Sequence, residues 1–138
     1  MNDVEQIIKD YYDKKKIQDK LKYEIDILKK NNSNLEEYIR VMNSRKDFIV
    51  ARIEENNEKI LDKQLKVNDI SEENSNIEFI LNFFLDDTEK QIIELRYKKN
   101  KQYQAMVDIV NMSKSTISRR VNKIIEKLED YIYSCEQV

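Results

Sequence analysis

Apolar residues follow a heptad spacing through the first seventy residues of the chain. With Leu21 and Ile25 placed at heptad positions d and a, the same phase extends from Val4 to Ile70. We call these twenty a and d positions the seam, and fourteen of them are apolar or tyrosine. The pattern predicts a long, coiled-coil-like helical region over residues 1–70 that associates with other copies of the chain. The apolar seam residues are Val4, Ile7, Tyr11, Leu21, Ile25, Leu28, Leu35, Ile39, Met42, Ile49, Ile53, Ile60, Val67 and Ile70, and the polar ones are Lys14, Gln18, Asn32, Lys46, Asn56 and Lys63.

Two arrangements of this region fit the sequence. Ser33 is followed three residues later by Glu36, which is the spacing of a capping box, so a helix can restart there and fold the region into a hairpin. The unbroken heptad phase instead favours a continuous or nearly continuous helix. Both arrangements stay open at this stage. Apolar residues outside the seam indicate that more than two helices meet; they are Ile8, Tyr12, Ile17, Ile27, Tyr38, Val41, Phe48, Leu61 and Leu65.

Shorter helices with recognisable starts are predicted over residues 71–138. Ser75 and Thr88 each precede a Glu or Gln by three residues, as helix-capping residues do. Two further helices are predicted at about 103–110 and 114–131, joined by residues 111–113. Asn111 can adopt the left-handed backbone conformation that a helix-turn-helix requires, and Ser113 can cap the second helix. These residues therefore predict a compact helix-turn-helix domain.

The last predicted helix has one apolar face and one cationic face. Ile117, Val121 and Leu128 recur at the spacing of a buried face, whereas Arg119 points the other way. Between Arg96 and Lys127 there are nine basic and two acidic residues, a net charge of +7 in a chain whose formal charge is -2. An arginine fork can read guanine in the major groove, so this face is a candidate DNA-binding surface.

Composition narrows the fold and the chemistry. The chain has no Gly, Pro, His or Trp, which argues against tight β-hairpins and predicts an all-α fold. Phosphate-cradling loops need Gly, and imidazole bases and His-based zinc sites need His, so we expect no enzyme activity, no cofactor and no metal. Cys135 is the single cysteine and cannot form an internal disulfide. With no long apolar span and no signal-peptide core, we expect a soluble, cytoplasmic protein.

Residues 113–122, SKSTISRRVN, resemble the recognition helix of the lac repressor family. A wider stretch is similar to region 4 of bacterial sigma factors: it runs from TEKQIIELRY at 88–97, through the predicted helix-turn-helix, to Lys127 and Leu128, about a third of the chain. A domain of this type behind a helical N-terminal half resembles the phage late-transcription regulators of the RinA and ArpU kind. Val107 and Asn111 depart from the usual Ala and Gly, and residues 1–80 show nothing like the promoter-melting region of a complete sigma factor.

The resemblance implies a site and a function. Lys114, Ser115 and Arg119 would face base edges, and Tyr97, Tyr103, Val107, Met112, Ile117 and Val121 would form the domain core. The residues expected to hold phosphates or add charge at the DNA backbone are Ser113, Thr116, Ser118, Arg120, Asn122 and Lys123.

The expected function is a sequence-specific regulator of transcription that binds double-stranded DNA, is phage-encoded, contacts RNA polymerase, and forms a homodimer or higher homo-oligomer. Two alternatives stay open. One is a DNA-packaging accessory protein resembling a small terminase subunit. The other is a coiled-coil adaptor or inhibitor whose helix-turn-helix binds protein.

Overall fold

A computed structural model describes residues 3–42 and 45–136, and every regular element among them is helical. A short π-helical turn, Glu94–Lys98, continues the third of the α-helices. The all-α class predicted from the absence of glycine is therefore confirmed. In the part of the chain that is described, no helix is long and apolar enough to cross a membrane. The α-helices are α1 (Asp3–Met42), α2 (Lys46–Phe84), α3 (Asp87–Ile93), α4 (Tyr103–Val110) and α5 (Lys114–Glu136).

The helices form two units. The hairpin unit contains residues 15–72, and the compact unit contains residues 3–14 together with residues 73–136. The sequence pattern predicts one division of the chain, between residues 70 and 71, with all of residues 1–70 in the helical region. The structure instead places the first turns of α1 in the compact unit, because Val4, Ile8, Tyr11 and Tyr12 are buried in the core of that unit.

The hairpin unit consists of α1 and α2 packed in opposite directions. The Gln18 side chain donates to the carbonyl of Val67 at 3.0 Å, whereas Asn56 donates to Asn32 at 2.9 Å. Because the residue numbers rise along α1 while those of their partners fall along α2, the two helices are antiparallel. In the hairpin unit, the seam residues of α1 thus pack against those of α2 within one chain.

The sequence signals for a break in this region were misleading. Residues 31–34 are helical, and the Ser33 hydroxyl donates to the Lys29 carbonyl inside α1 instead of capping a new helix. The continuous helix that the heptad phase favoured is also not formed, since α1 ends at Met42 and α2 begins at Lys46. Each helix nevertheless presents its a and d positions to the other.

Seam positions are shielded in the structure. Every seam residue whose side chain is described is buried or half-buried, except the exposed Lys46. The side chains of Met42 and Cys135 lie outside the described residues. Four polar seam residues, Gln18, Asn32, Asn56 and Lys63, are paired between α1 and α2. Lys63 donates to Glu24 at 2.7 Å, and this ammonium lowers the pKa of the Glu24 carboxyl. Such polar pairs fix which turn of α1 faces which turn of α2.

The compact unit has its own hydrophobic core. Ile8, Ile92, Ile117 and Leu128, which are fully buried, come from α1, α3 and α5. Tyr97 donates from its hydroxyl to a carboxylate oxygen of Glu5 at 2.8 Å. Burial, followed by this hydrogen bond, raises the pKa of the Tyr97 phenol. The other buried members of the core are Val4, Tyr11, Tyr12, Ile80, Leu81, Leu85, Ile93, Leu95, Met106, Val121, Ile124, Ile125 and Ile132.

Two predicted helix starts were wrong. Ser75 lies inside α2, because core-facing residues continue past it at helical spacing up to Phe84. The next helix begins at Asp87, and its cap is Asp86 rather than Thr88. The Asp86 carboxylate accepts from the Glu89 amide at 2.8 Å, and Glu89 accepts from the Asp86 amide at 3.0 Å. This reciprocal capping box satisfies two amides that the helix leaves unpaired.

Candidate nucleic-acid interface

The connection between α4 and α5 has the predicted geometry. Asn111 adopts the left-handed conformation, with φ 55° and ψ 44°. The Ser113 hydroxyl accepts a hydrogen bond from the Thr116 amide at 3.2 Å and so caps α5. The predicted bounds of α4 and the start of α5 are confirmed, while α5 continues past Tyr131 to Glu136.

The apolar face of α5 packs into the compact unit. Ile117 and Val121 are fully buried, and Ile124 is 2% exposed. Half-buried Tyr103, Val107 and Met112 pack against the same core, and Tyr97 is buried in it, so the six residues predicted as domain core all contribute to it. Packing this face inward fixes which side chains of α5 face solvent.

The nine predicted DNA-binding residues lie at the cap and in the first three turns of α5. Arg119 is about 100° from Arg120 around the helix and lies opposite the buried face. Thr116 and Ser118 are half-buried. The exposed members of the set are Ser113, Lys114, Ser115, Arg119, Arg120, Asn122 and Lys123.

Hydroxyl groups organise the first turn of α5. The Ser113 oxygen lies 2.8 Å from the Thr116 hydroxyl and 3.3 Å from the Ser115 hydroxyl. The Arg119 guanidinium donates to the Thr116 hydroxyl at 3.4 Å. This contact holds the Arg119 guanidinium near the start of α5. The free amides and partial positive charge of a helix N-terminus attract phosphate.

A mixed-charge cleft lies on one flank of α5. Arg120 and Lys123 line it together with Ile124, opposite Asp86 and Glu89 at the start of α3, and its volume is about 310 Å³. Lys127 extends the basic flank, and its ammonium is 3.4 Å from the Glu89 carboxylate. Asp86 and Glu89 are not among the site residues predicted from the sequence. The capping-box spacing was visible in the sequence, but only the packing of α3 on α5 brings the carboxylates beside the cations.

Part of the predicted basic surplus has a structural role. The Arg96 guanidinium donates to the Lys101 carbonyl at 3.0 Å and lies over the Tyr103 ring, 4.4 Å from its centroid. Arg96 therefore secures the connection between the π-helical turn and α4. Lys98 and Lys99 next to it are exposed.

The described residues form an all-helical protein. One face of its last helix, α5, is cationic and faces solvent, and this helix follows a left-handed turn. The chain belongs to the family described as protein of unknown function (DUF722), whose model matches residues 1–130 and so spans both units. No curated protein and no solved structure matches the chain. Among the side chains that the structure describes, no group of three acidic residues is placed to hold a metal ion.

Proposed function

We propose that the protein is a sequence-specific, double-stranded-DNA-binding regulator of transcription. The observation that carries the proposal is the position of Arg119, exposed on the face of α5 opposite Ile117 and Val121. The helix α5 begins three residues after the left-handed Asn111. A helix that is buried on one face and cationic on the other can enter the major groove while the rest of the domain stays outside it.

The other predicted DNA-binding residues divide into two roles. Lys114 and Ser115, in the first turn, reach base edges together with Arg119. Arg120 and Lys123, which line the cleft beside α3, reach phosphates. Ser113, Thr116, Ser118 and Asn122 complete the phosphate contacts. The proposal includes contact with RNA polymerase, because residues 88–128 resemble region 4 of bacterial sigma factors.

We also propose that the protein self-associates, through the hairpin unit. Because the seam residues of α1 and α2 already pack together within one chain, association uses a groove beside the seam. Tyr38 and Phe48 are 46% and 66% exposed and line one groove with Leu28 and Leu35. The partner is a second copy: with thirteen basic and twelve acidic residues in 15–72, two hairpin units do not repel each other. A symmetric contact then places the aromatic residues of each copy in the groove of the other.

Selection of bound sequences from a random duplex pool tests the proposed function. The full-length chain should enrich a defined motif, and two half-sites at a fixed spacing would report a symmetric dimer. Unselective retention of all duplexes, or of none, would contradict sequence-specific binding.

Sedimentation tests the association. Phe48→Ser should shift full-length protein towards monomer at micromolar concentration. Tyr23→Ser is the control, because Tyr23 is 67% exposed but does not line the groove. Wild-type protein that sediments as a monomer, or an equal shift in both variants, would contradict the groove as the interface.

A further inference from the structure

The capping box of α3 places two fixed carboxylates beside the basic flank of α5. Asp86 and Glu89 each accept a backbone amide of the other, so neither side chain can rotate away without breaking the cap. Arg120 and Lys123 line the same cleft as these acids. The capping box therefore holds both carboxylates at the surface that meets the DNA backbone in the proposed function.

Glu89 is the better placed of the two acids to compete with phosphate. One of its oxygens lies 3.4 Å from the Lys127 ammonium, and the Glu89 and Lys127 side chains are 18% and 39% exposed. Partial burial lowers the screening of this ion pair by solvent and salt. A phosphate that approaches the flank must therefore displace Lys127 from Glu89 or approach Arg120 and Lys123 against the repulsion of the carboxylate.

We propose that Glu89 acts as a built-in competitor for DNA phosphates, restraining Lys127 and weakening the backbone contacts of Arg120 and Lys123. The inference rests on the proposed function and assigns a regulatory residue to the same site. Phosphate contacts supply most of the non-specific affinity of DNA-binding proteins. The carboxylate thus limits how tightly the protein binds any duplex. Arg119 does not line the cleft, so its base contacts are unchanged.

Glu89→Gln tests this role because a Gln amide oxygen can still accept from the Asp86 amide and keep the capping box. Binding of full-length protein to cognate and random duplexes is measured by fluorescence anisotropy over a range of salt concentrations. We expect both affinities to rise about two- to fivefold, the scale of a partly exposed ion pair. The dependence of log affinity on log salt should steepen by up to about one, because Lys127 gains a phosphate.

Glu58→Gln is the matched control, with the same substitution and the same change in net charge at an exposed residue that does not line the cleft. If Glu89→Gln and Glu58→Gln bind alike, or if Glu89→Gln binds more weakly, the competitor role is wrong while DNA binding stands. A change on the cognate duplex alone would also overturn it, since a competitor for phosphates acts on every sequence. If the wild type itself binds no duplex at low salt, the proposed function fails. Thermal unfolding confirms that both variants are folded.

Discussion

Truncating Ile8 should destabilise the compact unit although the residue lies about a hundred positions before α5 in the sequence. Ile8 is fully buried among residues of α2, α3 and α5. Ile8→Ala removes buried methyl and methylene groups and leaves a cavity, which costs about 2–5 kcal/mol of unfolding free energy in typical cores. Ile17→Ala is the matched control, since Ile17 lies on the same helix and is 52% exposed. Its effect should stay within about 0.5 kcal/mol.

The same packing determines which fragments can fold. A fragment of residues 71–138 lacks Val4, Ile8, Tyr11 and Tyr12, all buried in the compact unit. At roughly 1.5–3 kcal/mol for each buried side chain, the loss is about 6–12 kcal/mol, an upper estimate. Since whole domains are stable by only about 5–15 kcal/mol, we expect this fragment to lose its tertiary structure.

Urea unfolding followed by circular dichroism measures the two substitutions, and amide hydrogen exchange assigns the effect to a part of the chain. Ile8→Ala should speed exchange at Ile117 and Val121 in α5, whereas Ile17→Ala should not. Equal stability of the two variants, or a cooperatively folded 71–138 fragment, would refute the assignment of the first turns of α1 to the compact unit.

Two further predictions concern single residues. Asn111→Gly should be neutral or slightly stabilising, while Asn111→Ala should cost about 1 kcal/mol, because alanine is strained in the left-handed conformation; thermal melting of both variants checks the sign. The raised pKa of Tyr97 means that the folded chain holds the phenol proton more tightly than the unfolded chain. This stabilisation is complete below about pH 9, where a tyrosine of the unfolded chain, with a pKa of about 10, begins to ionise, and it is lost as the pH rises further. Tyr97→Phe should therefore flatten the fall in melting temperature between pH 9 and 11, and an unchanged fall would exclude the contribution of Tyr97.

Local signals predicted the local features of the fold. The heptad phase identified which residues are shielded from solvent, and the turn at Asn111, the cap at Ser113 and the buried face of α5 followed from residue type and spacing. These features depend on interactions within a few residues or on one periodic face, which a single sequence records.

Features that depend on contacts distant in sequence were not predictable. A heptad seam does not show whether it packs against another chain or against a later helix of the same chain. The sequence therefore did not distinguish a hairpin from one continuous helix. Nothing near Val4 or Ile8 indicates that they pack in the same core as Ile117. The Glu89–Lys127 ion pair likewise joins residues 38 positions apart. The Asp86 cap was missed because two overlapping segments, beginning at Asp86 and Thr88, both have capping-box spacing.

A comparison of Arg119→Ala with Arg120→Ala tests the proposed reading of DNA by α5 most directly, because both variants lose one positive charge from neighbouring positions. Affinities of the full-length variants for the selected and random duplexes are measured by fluorescence anisotropy across salt concentrations. Arg119→Ala should lose about 1–3 kcal/mol on the selected duplex and relax its preference at one base pair. Arg120→Ala should weaken both duplexes alike and reduce the salt slope by about one. Equal losses by both variants on both duplexes would contradict base reading by Arg119, and no loss by either would contradict DNA binding by this face of α5.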